Sequence, residues 1–176
     1  MRVIGLAGWS GAGKTTLIVK LIPYLRERGL SVSTLKHAHH AFDVDQPGKD
    51  SYLHREAGAR EVLVASSRRF ALMHELRGAE EPGLGELLRR MSPADLILVE
   101  GYKRDAHTKI EVFRTANGKP LLYPGDPTIA ALATDAVDNP ALHLPHAHLD
   151  DIAAIAGLIL ALARPIEDII PRLAKA

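Results

Sequence analysis

The sequence predicts an α/β fold: a mostly parallel sheet flanked by helices, with a β-hairpin extension. Two observations support this prediction. Short apolar runs of strand length alternate along the chain with segments of helical periodicity. The first apolar run leads directly into a glycine-rich turn that opens the first helical segment. A chain of 176 residues suits one domain, and we expect residues 1–176 to form it.

The N-terminal third predicts a right-handed strand, helix, strand crossover. Residues 3–7 are apolar, as in a buried parallel strand. Residues 14–28 carry an apolar stripe of helical spacing, and Gly29 follows as a C-terminal cap. Pro23 predicts a kink or a break within this helix. Residues 31–35 then form the second strand.

The rest of the chain continues the alternation, interrupted by two segments without periodicity at 38–49 and 117–127, which we expect to be loops. Strands are predicted at 61–65, 69–74, 96–99, 109–113 and 129–134, and helices at 51–57, 84–91 and 151–163. The first two of these strands are separated by residues 66–68 and predict a hairpin.

Composition excludes several classes of protein. The 22 basic and 21 acidic residues give a net charge of +1, which provides no broad field for nucleic acid. The absence of cysteine excludes disulfides, thiolate nucleophiles and cysteine-ligated zinc. The apolar stretch 152–163 is too short for a bilayer span of about 20 residues. The start MRVIGLAG leaves no space for a signal peptide, so we expect a cytoplasmic protein without membrane association.

The glycine-rich turn satisfies the phosphate-loop pattern G-x-x-x-x-G-K-[ST] between a strand and a helix, which predicts P-loop NTPase architecture. Glycines allow successive N–H groups to turn inward toward phosphate oxygens, and the helix adds its positive dipole end. Lys14 is expected to reach the β- and γ-phosphates, whereas Trp9 occupies a position that the pattern does not constrain. The predicted nucleotide-binding residues of the loop are Gly8, Ser10, Gly11, Ala12, Gly13, Lys14, Thr15 and Thr16.

A magnesium site is predicted beside this loop. The Thr15 hydroxyl is expected to bind Mg²⁺. Glu100 ends an apolar strand and precedes a glycine, so it lies at the carboxyl edge of the sheet where ligands collect. The alternative is an ordinary exposed acid at a strand end. Asp95, at the opposite end of this strand, is expected to be a turn residue.

Residues 36–51 leave the second strand at the same edge and predict a switch segment. Lys36 and Lys49 are cations that could meet phosphate or an anionic partner. Asp43, Asp45 and Asp50 could help to bind the metal, and we assign Asp50 to it. The alternative role of Asp50 is a helix cap.

Three histidines in this segment, His37, His39 and His40, raise the question of zinc. Adjacent residues of an extended chain point to opposite faces, so His37 and His39 are the one pair that shares a face. Polar loop contacts, or contacts to phosphate or pterin, are the interpretation that we favour.

The chain resembles the molybdopterin-guanine dinucleotide biosynthesis protein B (MobB) family of GTPases. The resemblance rests on four segments: GWSGAGKTTL, KHAHHAFDVDQPGKDS at 36–51, REAGA at 55–59 and DLILVEGYK at 95–103. It implies a homodimeric GTP-binding protein of low hydrolytic activity, which assists the guanylyltransferase that attaches GMP to molybdopterin in the molybdenum cofactor.

The resemblance also bears on guanine and on the dimer. Thr134 and Asp135 stand where related phosphate-loop proteins contact guanine, and a carboxylate accepts hydrogen bonds from guanine N1 and N2. The usual guanine motif Asn-Lys-x-Asp is absent, so the sequence leaves the choice between GTP and ATP open. The predicted hairpin could exchange across a dimer, as in the family, or be an edge hairpin within one subunit.

Two other functions stay open. A small-molecule kinase would use the same loop to transfer the γ-phosphoryl group, although an arginine-rich lid is not evident. A pterin-cofactor binding module would use the loop to hold the phosphate of the cofactor.

Overall fold

The structure, a computed structural model, describes residues 1–38 and 42–173. They form two compact units, the larger from Met1–His37 and Gly83–Ala176 and the smaller from Ala38–Pro82. The strands are β1 Arg2–Ala7, β2 Val32–Lys36, β3 Glu61–Ala65, β4 Phe70–His74, β5 Leu96–Glu100, β6 Lys109–Phe113, β7 Ile129–Thr134, β8 His146–His148 and β9 Arg164–Pro165. The helices are α1 Lys14–Arg26, α2 Asp50–Glu56, α3 Leu84–Arg90, α4 Ile152–Leu162 and α5 Ile166–Leu173.

The larger unit is built on a sheet with the strand order β2-β5-β1-β6-β7-β8, and these neighbours are parallel. The short β9 runs antiparallel to the start of β1, at Arg2 and Val3, whereas β6 pairs with the second half of β1. The predicted α/β fold with a mostly parallel sheet is therefore confirmed. Within the described residues no helix is long and apolar enough to cross a membrane.

Successive side chains of the central strands point to opposite faces of the sheet and form two hydrophobic cores. Ile4 and Leu98 face α1 and α4, and Val3, Ile97 and Val99 face α3 and α5. All five of these side chains are at most 1% exposed. Burial on both faces explains why these strands read as continuous apolar runs.

The second face of β6 carries charge instead of an apolar core, because loops cover it. Lys109 is 1% exposed and donates from Nζ to the Asp105 carbonyl at 2.7 Å and to the Thr128 hydroxyl. Glu111 is fully buried and accepts the backbone amides of residues 122 and 123 at 2.8 and 2.9 Å. Both buried charges are hydrogen-bonded, as buried charges must be.

The smaller unit contains α2 and the β3–β4 hairpin. The predicted hairpin is confirmed, with Leu63 opposite Leu72 and Ala65 opposite Phe70. Leu63, Leu72 and Phe70 are 60%, 53% and 71% exposed, whereas Val62, which points to the other face of the hairpin, is 9% exposed. One face of the hairpin is thus apolar and open.

Several elements differ from the predicted ones. The first helix ends at Arg26, two residues before the predicted end. It continues through Pro23, so of the kink or break predicted there the break is wrong, and the kink stays a prediction. The elements β8, β9 and α5 were not predicted, since the first two are very short and α5 contains Pro171. The predicted loop 117–127 includes a turn of 3₁₀ helix at Tyr123–Gly125.

Candidate nucleotide-binding site

The turn between β1 and α1 needs glycine at two points. Gly8 has φ 143°, and a Cβ atom there would lie 2.5 Å from the Val112 carbonyl oxygen. Gly13 has φ 99° and directly precedes the first residue of α1. Residues that carry a side chain rarely adopt these φ angles, so the glycines allow the backbone to curl around the start of the helix. The backbone therefore has the form that a phosphate loop requires.

Lys14 folds back over this turn. Its Nζ donates to the carbonyl oxygens of Gly8 at 2.9 Å and Trp9 at 3.0 Å. Burial is the main cause that lowers the pKa of Lys14. The charge of Glu100 acts to raise this pKa, and the positive charges of Lys36 and Lys103 act to lower it. An ammonium held by neutral carbonyls in a positive surrounding is poised to meet an anion.

Thr15 and Glu100 meet where α1 begins and β5 ends. The Thr15 hydroxyl donates to Glu100 Oε1 at 3.2 Å, and Lys36 Nζ lies 3.7 Å from Glu100 Oε2. Lys36 and Glu100 are register partners on adjacent parallel strands, which brings their side chains to one edge. A hydroxyl and a carboxylate are the kind of oxygen groups that Mg²⁺ binds, so the predicted metal ligands Thr15 and Glu100 lie together.

A segment that follows β6 holds the loop from outside, and the sequence did not indicate it. The Trp9 indole donates to the Pro120 carbonyl at 2.8 Å. The Asn117 side-chain amide donates to the Ser10 carbonyl at 3.1 Å. Trp9, which the motif does not constrain, thus has a structural role here. The centroid of its ring also lies 5.4 Å from Lys103 Nζ.

Thr134 and Asp135 lie at the carboxyl end of β7, on the edge where β5 ends with Glu100. Thr134 is fully buried, and its hydroxyl accepts the Ala136 amide at 3.0 Å. Asp135 Oδ1 accepts the Thr115 amide at 2.9 Å. Burial acts to raise the pKa of Asp135, but its hydrogen bonds to Thr115 prevail and lower it, so the carboxylate is charged at neutral pH. Contact with guanine stays a prediction for both residues.

The remaining predicted residues belong to the smaller unit. Asp50 is the first residue of α2, and its role as a metal ligand stays a prediction. Asp43 and Asp45 are bound by Arg55, which lies 2.8 and 3.4 Å from their carboxylates and 2.9 Å from that of Glu75. Hydrogen bonds from the Asp45 amide and from Arg55 lower the pKa of Asp43. The two switch aspartates therefore hold the segment to α2.

The histidines can be followed only in part. The His37 amide donates to the Glu100 carbonyl at 2.9 Å, and its ring centroid lies 5.0 Å from that of Tyr102. His39 and His40 lie outside the described residues. Among the residues that are described, no three His, Asp or Glu side chains gather as metal ligands.

Comparison with known proteins gives a consistent result. The family model described as molybdopterin guanine dinucleotide synthesis protein B matches residues 3–135. A molybdopterin-guanine dinucleotide biosynthesis adapter protein of Escherichia coli is 44% identical over 161 residues, covering 90% of this chain and 91% of the relative. Its Haemophilus influenzae counterpart is 42% identical over 121 residues, covering 68% and 67%. The crystal structure of a molybdopterin-guanine biosynthesis protein B is 29% identical, covers 91% of this chain and 97% of that chain, and gives a TM-score of 0.71.

Proposed function

Since the chain belongs to the molybdopterin guanine dinucleotide synthesis protein B family, we propose that it is a GTP-binding adapter in the biosynthesis of molybdopterin guanine dinucleotide. In this role it binds GTP·Mg²⁺, hydrolyses it weakly, and assists the guanylyltransferase that joins GMP to molybdopterin. The relatives named above carry the adapter description. The nucleotide part rests on the loop.

The observation that carries the nucleotide proposal is the charge around Lys14. Lys36 and Lys103 act on its ammonium through space, and Glu100 is the acid among these groups. Three lysines about one carboxylate leave a surplus of positive charge beside the glycine-rich turn. A polyphosphate with a divalent cation matches both, because the cation takes the carboxylate and the phosphates take the lysines.

The proposed weak hydrolysis is supported by the position of Glu100. Glu100 accepts a hydrogen bond from Thr15, and as the proposed metal ligand it is not free to act as a general base. We therefore assign no catalytic residue. Asp50 is the proposed further metal ligand, and Asp135 is the proposed guanine acceptor.

We propose that the protein acts in the cytoplasm and that it forms a homodimer. The open apolar face of the β3–β4 hairpin, formed by Leu63, Phe70 and Leu72, supports association with a second copy. The partner enzyme and molybdopterin itself are the other proposed ligands.

Titration with GTP and with ATP, each with Mg²⁺, tests the nucleotide proposal. The chain has one tryptophan, Trp9, which lies in the loop and so provides a fluorescence signal; calorimetry gives the affinity independently. GTP should bind more tightly than ATP, and Lys14→Ala should nearly abolish binding. Lys20→Ala, which removes an exposed lysine of the same helix, is the control and should bind normally. Equal affinities would refute the guanine assignment, and full binding by Lys14→Ala would refute the loop assignment.

The magnesium part is tested with Glu100→Gln. Glutamine keeps the shape but removes the charge that attracts the cation, so the gain in GTP affinity on adding Mg²⁺ should fall about tenfold or more. The GTP affinity measured in EDTA should change little by comparison.

Two outcomes would favour the alternative functions. If a pterin phosphate binds while GTP and ATP both fail to, the pterin-module alternative replaces this proposal. Release of ADP that requires a small acceptor would favour the kinase.

A further inference from the structure

Arg114, the residue after β6, lies beside the last glycine of the phosphate loop. Its Nη2 and Nε stand 3.6 and 4.0 Å from the position that a Cβ atom on Gly13 would take. Gly13 immediately precedes Lys14, the first residue of α1. The guanidinium therefore lies beside Gly13, where the phosphate loop meets α1, and it comes from a strand other than those that carry Lys36 and Glu100.

The guanidinium is free to take a ligand. Arg114 is exposed, and across the described part of the chain its side chain forms no hydrogen bond or ion pair. Asp135 and Asp150 lie close enough to interact with it through space, without direct contact. Its five N–H donors, which form a planar fork suited to phosphate, are thus available.

The strand order indicates which part of a nucleotide would reach Arg114. The strands β5, β1, β6 and β7 are neighbours in the sheet. Glu100 ends β5 and Asp135 follows β7, so the proposed metal end and the proposed base end lie three strand spacings apart, about 14 Å. A nucleotide between them passes the end of β6, where Arg114 is. The group that lies between the terminal phosphates and the nucleoside is the α-phosphate.

Resting on the nucleotide function proposed above, we propose that Arg114 binds the α-phosphate through charge-assisted hydrogen bonds. The α-phosphate is common to GTP and GDP, so Arg114 holds the nucleotide equally before and after hydrolysis. Lys36 lies on the other side of β1, next to Glu100, and acts on the terminal phosphate. Arg114 thus sets affinity, and Lys36 sets the preference for triphosphate.

The experiment compares GTP and GDP affinities, with Mg²⁺, for the wild-type protein and for Arg114→Ala, Lys36→Ala and Lys14→Ala. Arg114→Ala should weaken GTP and GDP by the same factor, about 10 to 100, as expected for the loss of a charge-assisted hydrogen bond. Lys36→Ala should weaken GTP more than GDP. The loss in Arg114→Ala should shrink at high salt, because the contact is ionic.

Two controls separate binding from folding and from general charge. Arg172→Ala removes an exposed arginine of α5 and should leave both affinities unchanged. Arg114→Gln keeps a polar side chain of similar shape. It replaces Arg114→Ala in the comparison if Arg114→Ala unfolds at a lower temperature than the wild type. Its affinity for GTP and GDP should fall nearly as far as in Arg114→Ala.

The outcomes distinguish this inference from the proposed function. If the wild type binds GTP, Lys14→Ala does not, and Arg114 variants bind normally, the α-phosphate contact is refuted and the nucleotide function stands. A loss confined to GTP, or one insensitive to salt, also refutes the α-phosphate assignment. If the wild type binds neither nucleotide, both proposals fall together.

Discussion

His107 shows how a single residue couples the larger unit to pH. It is 3% exposed, and its Nδ1 has no hydrogen-bond partner among the described residues. Its Nε2 lies against Gly5, 2.3 Å from where a Cβ would be, so the ring packs directly onto β1. Burial, reinforced by the positive charge of Lys109, lowers the pKa of His107 to about 4. The imidazole is therefore neutral in the folded protein.

This depressed pKa predicts acid sensitivity. Between the folded value of about 4 and the unfolded value of about 6.5, the unfolded chain binds a proton that the folded chain does not, so stability falls as pH falls. From pH 7 to pH 5 the expected loss in the free energy of unfolding is about 2 kcal/mol. Urea unfolding at each pH should show this loss as the difference between the wild type and a variant that lacks the imidazole.

The matched variant is His107→Gln, which cannot titrate. Its stability should fall about 2 kcal/mol less over the same pH range. Asp105, Lys109 and Asp126 also act on this ring, but they are present in both proteins, so the difference isolates His107. Parallel pH profiles of the two proteins would contradict the prediction.

At the scale of elements, the sequence located those with a local pattern. The strands β1, β5 and β7 are apolar runs, and the phosphate loop is a contiguous motif, so both could be predicted. The groups that support the loop could not, because Asn117 and Pro120 lie 107 and 111 residues from the loop residues they bind. The strand β9 has two residues, and it pairs with β1 at Arg2 and Val3, which β6 does not reach.

The helix α1 illustrates a local preference that packing overrides. Pro23 lacks the N–H that would complete the helical ladder, yet the helix continues to Arg26. Its apolar face, which includes Leu21 and Leu25, is fully buried against the sheet and α4. This burial offsets the cost of the proline, which in a helix interior is about 3 kcal/mol relative to alanine.

Pro23→Ala should therefore stabilise the protein. Pro23 is exposed, so alanine fits without a clash, and it restores an N–H to the ladder. Up to about 1 kcal/mol of the gain is lost because the unfolded chain becomes more flexible, which leaves about 2 kcal/mol in the free energy of unfolding. Chemical denaturation measures this value. Pro93→Ala, in an exposed loop after α3, should be neutral or slightly destabilising, and an equal gain there would contradict the helical explanation.

At the scale of the whole molecule, the described residues leave one apolar face of the β3–β4 hairpin exposed. A two-stranded hairpin is marginally stable in water unless one of its faces is packed. Residue Val62 is buried on one face, and Arg55 ties α2 to Asp43 and Glu75, so this face is held within the unit. The other face remains open and apolar, which is costly for an isolated chain.

A homodimer that covers this open face makes a direct prediction for Leu72→Lys. Leu72 is 53% exposed and lies opposite Leu63, at the centre of the face, so a charge there should weaken association at least tenfold. Sedimentation over a range of concentrations should show a dimer for the wild type and a shift toward monomer for the variant. Val19→Lys, on α1 and 64% exposed, is the matched control and should remain dimeric. A monomeric wild type, or a dimer unaffected by Leu72→Lys, would rule out the hairpin face as the interface, whereas slower amide exchange in β3 and β4 at dimeric concentrations would support it.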